Sequence, residues 1–462
     1  MQSRREFVQL AAAGALLPPT VMADGLAYDP ATAQAGQAPD NKVSANDRIR
    51  LGLIGAGGQG SSDVESVLKT PGVDLVAVAD IYDGRRERAQ EVWGGDKNKL
   101  FSTRDYRELL GRPDVDAVIV ATPDHWHATV CIDAMTAGKD VYCEKPMVQQ
   151  VDEGLNVVEA SHTTGRIFQV GSQRVSSIVY AKAKELLASG AIGELNMVEA
   201  FWDRNSAIGA WQYSIPPDAT PPNIDWDRFL GRAPKRPFEP IRLFRWRNYR
   251  DYGTGVPGDL FVHLFSGIHF VTGSHGPTRV MSTGGLRFWR DGRDVPDVMM
   301  GLYDYQRTAS MPPFNLALKV NFADGAGESS TFRFVGTDGS LVIDGNRVIV
   351  SRRAKAREPG YTIGTFAKAT QAEFLKEYRA KYPVHEPEMT SAQDETHSAP
   401  GGYSDGQHHL RNFIASVRTR KPVVEDATFG FRAAGPALLT NLSYFENKPQ
   451  LWDPEGMQIV KG

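Results

Sequence analysis

Residues 48–60 read Arg48-Ile49-Arg50-Leu51-Gly52-Leu53-Ile54-Gly55-Ala56-Gly57-Gly58-Gln59-Gly60. Ile49, Leu51, Leu53 and Ile54 give the first half the apolar content of a buried strand. The strand breaks into Gly55-x-Gly57-x-x-Gly60, and Asp63 to Leu68 then reads as a helix. Strand, glycine turn and helix in that order form a dinucleotide-binding fingerprint. Gly55 permits the sharp turn, Gly57 leaves the backbone open to a pyrophosphate, and Gly60 lets the helix pack on the strand. Free N–H groups at the helix start attract the phosphates. Gly55, Ala56, Gly57, Gly58, Gln59 and Gly60 are therefore candidate cofactor ligands. A second strand, 73–79, ends in Asp80, roughly 20 residues beyond the turn, where a ribose-binding acid is expected. A carboxylate there accepts from a ribose 2′-OH and repels a 2′-phosphate. This favours NAD, while Arg85 and Arg86 nearby keep NADP open.

A chain of 462 residues exceeds one ordinary core, so two domains are expected. A net charge of −3 offers no basic field for nucleic acid. Beyond the N-terminus no apolar run is long enough to span a bilayer. Cys131 and Cys143 read as two core thiols, not a disulfide or metal pair. The N-terminus itself has Arg4-Arg5 and Phe7, an apolar segment from Leu10 to Leu17, and small residues up to Ala23. That order predicts a twin-arginine export signal over 1–23, followed by a linker over 24–46 that cannot build a core. Twin-arginine export carries folded proteins to the periplasm or beyond. Because free nicotinamide cofactor is not expected there, such a protein would load its cofactor first and keep it.

Alternating strands and helices continue to residue 171, which predicts a doubly wound parallel sheet over 47–171. Its unusual turns all fall on the edge where ligands bind. One is Thr122-Pro123-Asp124-His125-Trp126-His127, another Glu144-Lys145-Pro146. A lysine at that edge can bond a substrate hydroxyl or polarise a carbonyl. From residue 193 strands follow one another without helices, so 172–462 is expected to hold a largely antiparallel sheet. The fold class is thus α/β followed by α+β. An aromatic and basic stretch, 203–255, with Trp211, Tyr213, Trp226, Phe244, Trp246 and Arg247, fits a polyol or sugar pocket. Residues 351–405 read as a charged insertion, with a helix over 371–381 and a loop over 387–404. No cluster of metal ligands stands out.

From about residue 48 to its end the sequence resembles the Gfo/Idh/MocA family of dehydrogenases. The likeness is carried by Gly55-x-Gly57-x-x-Gly60, Thr122-Pro123-x-x-x-His127, Glu144-Lys145-Pro146 and Asp259-x-x-x-His263. Asp259 and His263 stand at i and i+4 and share a helix face, so the carboxylate can orient the imidazole for proton transfer. The resemblance implies hydride transfer at a CH–OH group of a sugar, sugar acid or cyclitol, with Lys145, His263 and Asp259 catalytic. It places Thr122, Pro123, His127, Glu144 and Lys145 at the cofactor, and Arg174, Trp246, Arg247 and His409 toward the substrate. It also implies a homo-oligomer built on the second sheet. Where many members carry a further Asp, this chain has Ser266. Some relatives use bound NAD to oxidise a glycoside transiently and eliminate its aglycone, and that is the alternative reading.

Overall fold

The computed structural model describes residues 47–95, 99–352, 362–382 and 394–460. The signal expected over 1–23 and the linker over 24–46 lie outside the described residues.

The first sheet is built from β1 (Ile49–Ile54), β2 (Val73–Ala79), β3 (Phe101–Thr103), β4 (Ala117–Val120), β5 (Asp140–Cys143) and β6 (Phe168–Val170). Their order is β3-β2-β1-β4-β5-β6, and every pairing is parallel. β4 and β5 are buried along their whole length because helices cover both faces. The order reverses between β1 and β4, so a crevice opens beyond the C-terminal ends of those two strands. The turns at Gly55, Thr122 and Glu144 surround it. The helix after the glycine turn begins at Gly58, earlier than its apolar pattern alone indicates, so its free N–H groups face the crevice. The Lys145–Pro146 peptide is cis.

Among the described residues the second sheet has ten strands in the order β14-β13-β12-β11-β7-β10-β9-β8-β15-β16. They run from β7 (Leu195–Asp203) through β8 (Arg279–Gly285), β9 (Val298–Tyr305), β10 (Phe314–Asn321), β11 (Ser329–Gly336) and β12 (Gly339–Asp344). β13 (Arg347–Arg352), β14 (Asp394–Ser398), β15 (Gln450–Asp453) and β16 (Gln458–Val460) complete it. All pairs are antiparallel except β7 with β10. β9 and β10 alternate buried and exposed positions, as one covered face requires. The inner face lies under the helices Val262–Thr272 and Ala427–Glu446. Both share one core cluster with Phe332, Phe334 and Leu341 of the strands.

Two boundaries differ from the sequence expectation. Residues 394–398, expected to be loop, form edge strand β14 on β13. Asp394-Glu395-Thr396-His397-Ser398 is polar throughout, so it shows no alternation; it is placed by backbone pairing with β13 and by polar contacts such as Ser351 with Asp394 at 2.6 Å. Second, the helix Asp405–Thr419, assigned by sequence to the second domain, returns to the first. Its Leu410, Phe413 and Ile414 complete the cluster of Ile49, Leu51 and Leu53, and Arg420 just beyond it pairs with Asp140. Cys131 and Cys143 are buried free thiols, as expected.

Candidate active site

A cavity of about 510 Å³ lies at the switch point, lined by the glycine turn, Asp80, Thr122, Glu144, Lys145 and Trp246 among others. Its size falls in the roughly 300–1,000 Å³ common for ligand sites. The glycines act as the fingerprint requires. Gly55 has φ +94°, and a Cβ there would lie 2.5 Å from the Ala121 carbonyl oxygen. A Cβ on Gly60 would collide with the Gly55 carbonyl oxygen. A Cβ on Gly58 would meet nothing within 4 Å, so the space before the helix is open. Asp80 is buried beneath the turn. Its carboxylate accepts from the Ala56 N–H at 2.8 Å and the Tyr82 N–H at 2.9 Å, fixing the loop while lining the cavity. Arg85 stands 3.7 Å from it and also lines the cavity, whereas Arg86 is turned away onto Asp83.

These residues fit a dinucleotide. The helix N-terminus and bare Gly57 suit a pyrophosphate, and Asp80 suits a ribose. The Thr122 hydroxyl is buried at the cavity wall without a protein partner, a polar group left for a ligand. Gln59 lines the cavity but gives its amide to Asp63 at 2.9 Å. His127 has a supporting part: its two ring nitrogens lie 2.6 Å from the Pro146 carbonyl and 2.8 Å from the Thr122 carbonyl. The ring sits between two of the three turns and, as a neutral imidazole, donates to one of the two carbonyls. Burial pushes its pKa down to about 4.

At the other end of the cavity Lys145 donates to the Asp259 carboxylate at 2.7 Å and to its carbonyl at 3.0 Å. Arg247 donates to the same carboxylate oxygen at 3.1 Å and lies 4.3 Å from the Trp246 ring. Burial works against the carboxylate, but these two cations hold its pKa far below the usual range. The expected pairing of Asp259 with His263 is corrected here. Asp259 sits in a π-turn, Pro257–Phe261, just before the helix of His263. The carboxylate is taken by two cations, while its charge still reaches His263 and acts to raise that ring's pKa. Among the described residues its side-chain partners are Lys145 and Arg247. His263 packs instead against Trp202, ring centroids 5.4 Å apart. Burial, then the charges of Lys145 and Arg174, push its pKa well down, so it stands as a neutral imidazole.

Other expected substrate residues divide. Trp246 and Arg247 line the cavity. Arg174 lies apart: it donates to Tyr180 at 2.7 Å and stacks 4.6 Å over Trp202. His409 is corrected to a structural residue, fully buried, its ring bonded to the Val170 carbonyl at 2.7 Å and the Ser176 hydroxyl at 2.8 Å.

Sequence reasoning missed Asp124. Its buried carboxylate accepts from the Thr254 N–H at 3.0 Å and hydroxyl at 2.6 Å, tying the first domain's edge to the second domain. The stretch 213–255 forms a strap over the cofactor end. Tyr82 bridges to Ile224 and bonds Asp218 at 2.7 Å. The rings of His125 and Trp126 both reach the Phe229 carbonyl, at 2.8 and 3.0 Å. The aromatic content signalled packing, but its partner surface was not visible in the sequence.

Two family models match the chain. One, described as "Oxidoreductase family, NAD-binding Rossmann fold", covers residues 49–172. The other, "Oxidoreductase family, C-terminal alpha/beta domain", covers 196–282. Inositol 2-dehydrogenase of Gluconacetobacter diazotrophicus is 36% identical over 163 residues, 35% of this chain and 47% of that protein. Glycosyl hydrolase family 109 protein 2 of a Shewanella species is 33% identical over 167 residues, 34% of this chain and 36% of that protein. The matched region is thus under half the length of these curated relatives. Levoglucosan dehydrogenase, solved in complex with NADH and levoglucosan, superposes with a TM-score of 0.61 over 87% of this chain and 98% of its own, at 18% identity. That likeness is one of fold.

Proposed function

Because the chain belongs to the Gfo/Idh/MocA oxidoreductase family, with its NAD-binding Rossmann domain, we propose that it oxidises or reduces a CH–OH group of a sugar, sugar acid or cyclitol with NAD. The observation that carries this reading is Lys145, an ammonium fixed by Asp259 in the wall of the cofactor cavity. Two of its three N–H groups are engaged within the protein. The third remains for the substrate oxygen, which it stabilises as an alkoxide forms. His263, which packs on Trp202 and is not among the residues lining the cavity, is the proposed acceptor of the hydroxyl proton. Bound NAD supplies the hydride acceptor. Trp246 and Tyr213 give the cavity aromatic walls for a sugar face. Inositol and levoglucosan, for which relatives are named, set the substrate class to try first.

The strap supports a cofactor that stays bound, because release requires its aromatic cluster to lift from Tyr82, His125 and Trp126. Retention agrees with folded export on the signal read over 1–23. Each turnover then ends by returning the hydride, either to a second substrate or to the same one. The second course is glycoside cleavage without net redox change, and the relative named as a family 109 glycosyl hydrolase favours keeping it as the alternative. Exposed Met281, Met300 and Leu302 on the outer face of β8 and β9 support pairing with a second copy.

Denaturing the purified protein and weighing any released nucleotide tests the core of this reading, with NAD expected in near-equal amount to protein. Recovery of protein free of nucleotide, unresponsive to added NAD and a polyol panel, overturns it. Free aglycone formed from glycosides without net NADH selects the alternative. Light scattering reads the oligomer, and Arg4→Lys with Arg5→Lys should trap the protein in the cytoplasm.

A further inference from the structure

The glycine-turn edge and the strap are joined by several contacts that need no cofactor. Tyr82 pairs with Ile224, Arg104 donates to the Pro222 carbonyl at 2.7 Å, and Arg228 lies 3.1 Å from Asp105. Both arginines have acids of their own side as well: Arg104 donates to Asp83 at 2.7 Å, and Arg228 pairs with Asp225. Arg107, on the same cavity wall, stacks 4.7 Å from the Tyr106 centroid and stands 3.6 Å from Asp105. Arg85 differs from all three. It lies in the first turn of the helix Asp83–Trp93 and lines the cofactor cavity. Its side chain is 28% exposed, and the acid beside it, Asp80, is 3.7 Å away, beyond hydrogen-bond range. That acid already accepts from the Ala56 and Tyr82 N–H groups. Among the described residues no protein acceptor is bonded to the Arg85 guanidinium.

Two surfaces bracket that guanidinium. On one side is the glycine turn: a Cβ on Gly57 would lie 3.6 Å from Arg85 Cζ, an ordinary contact distance. On the other is the strap: Cζ lies 5.3 Å from the centroid of Phe244, within cation–π range. Phe244 is 7% exposed and belongs to the strap's own cluster with Phe229, Tyr249 and Tyr252. A planar guanidinium can keep one face on a ring and still offer its N–H edge to a phosphate. Gly57 is the glycine whose bare backbone admits the pyrophosphate. We propose that Arg85 is the residue through which the bound dinucleotide holds the strap down, its N–H groups taking the pyrophosphate while its face stays on Phe244.

The inference rests on the retained-cofactor reading above and names the pyrophosphate as the part of the cofactor that resists release. A ligand shifts the strap between held and lifted states only through contacts that differ between the two. The Arg85 guanidinium supplies such a contact, because it meets the strap and the phosphate cradle at once. Adenosine brings nothing for it to bond. The strap's remaining ties to the first domain do not involve Arg85, so the fold stands without it and only the coupling to the nucleotide is lost.

Hydrogen exchange of the purified full chain, stripped of nucleotide and reloaded, tests this without turnover. Saturating NAD or ADP-ribose should slow the amides of residues 240–252 by about tenfold or more, and saturating adenosine by no more than about twofold. In Arg85→Met, which keeps an apolar stem beside Phe244, NAD should protect no better than adenosine. Its release on dilution should quicken on the order of tenfold to a hundredfold, the worth of a hydrogen bond to a charged group. Arg85→Lys restores the charge without the planar face and should fall between. Equal protection by adenosine and NAD in the parent overturns the proposal, as does unchanged protection and release in Arg85→Met. A variant strap that exchanges faster by the same factor with and without nucleotide marks a structural contact only and overturns it too. So does a variant that keeps NAD protection but loses affinity for NADP alone, since the guanidinium then serves a 2′-phosphate. Should stripping fail, release rates from the loaded parent and variant still decide. A chain that shows the coupling yet oxidises no polyol upholds the proposal and overturns the enzyme reading.

Discussion

The glycine-turn edge and the strap of 213–255 face each other across one cavity, yet they are held in opposite ways. The edge is made of backbone. Gly55, Gly57 and Gly60 act by lacking side chains, and Asp80 fixes the loop by accepting from two main-chain N–H groups. The strap is made of side chains. Its own cluster of Phe229, Phe244, Tyr249 and Tyr252 sits on Tyr82, and its contacts with the first domain join residues more than a hundred positions apart. On the function proposed above, such a site would separate two tasks: the edge would set what binds, and the strap how long it stays. Substitutions on the two sides should therefore fail differently.

The largest expected effect lies where the two sides meet. Lys145→Met removes the donor proposed to hold the substrate oxygen, and kcat should fall on the order of a thousandfold, as for other single donors of this kind. Asp259 keeps Arg247 as a partner, so the protein should still fold and still carry its nucleotide. A folded, nucleotide-loaded variant with near-normal kcat would remove Lys145 from the chemistry.

Next comes the strap. Phe229 is 2% exposed and lends its carbonyl to both His125 and Trp126. Phe229→Ala empties the centre of that cluster, a loss of roughly 3–5 kcal/mol when such a ring is buried. Much of it should appear as local opening, with nucleotide dissociation faster by on the order of a hundredfold and kcat little changed at saturating NAD. Stopped-flow displacement of the bound nucleotide measures it, and an unchanged off-rate would show that the strap does not govern retention. On the edge, Gly60→Ala pushes a methyl group into the Gly55 carbonyl. Its cost should be about 1–3 kcal/mol of overpacking, seen as a lower melting temperature together with weaker NAD affinity, the reverse of the strap variant.

The same contrast explains what the sequence could tell. The turn residues were legible because their chemistry is local: a glycine spacing and a strand-end lysine mean the same thing wherever they occur. The doubly wound sheet followed from apolar runs that only two-sided burial explains. Illegible were features set by partners distant in sequence. The i, i+4 rule joined Asp259 to His263, but the competing cations Lys145 and Arg247 took the carboxylate's hydrogen bonds. Strand β14 has no periodicity to read, since it is an exposed edge. His409 looked available because nothing in its neighbours in sequence says that the helix carrying it turns back onto the first sheet.

His409 also provides the finest test, because it is a histidine of the rigid side with no expected part in chemistry. Burial pushes its pKa down to about 4, against about 6.5 in an unfolded chain. Between those values the unfolded chain binds the proton and the folded one does not, so stability falls as pH drops from about 6.5 toward 4. The full difference corresponds to roughly 3 kcal/mol at the acid end and nothing above neutrality. His125 and His127, each lowered to about 4, share that sign, while Asp124, raised to about 7, opposes it. Only the comparison with a variant isolates one residue. His409→Gln keeps a side chain able to reach the Val170 carbonyl but cannot titrate. It should cost about 1 kcal/mol at pH 7 for an imperfect hydrogen bond and then lose less than the parent on acidification. Denaturation midpoints in urea at pH 7 and pH 4.5 give both numbers. Parallel losses in parent and variant, or a changed kcat in the variant, would return His409 to the site from which its two buried hydrogen bonds exclude it.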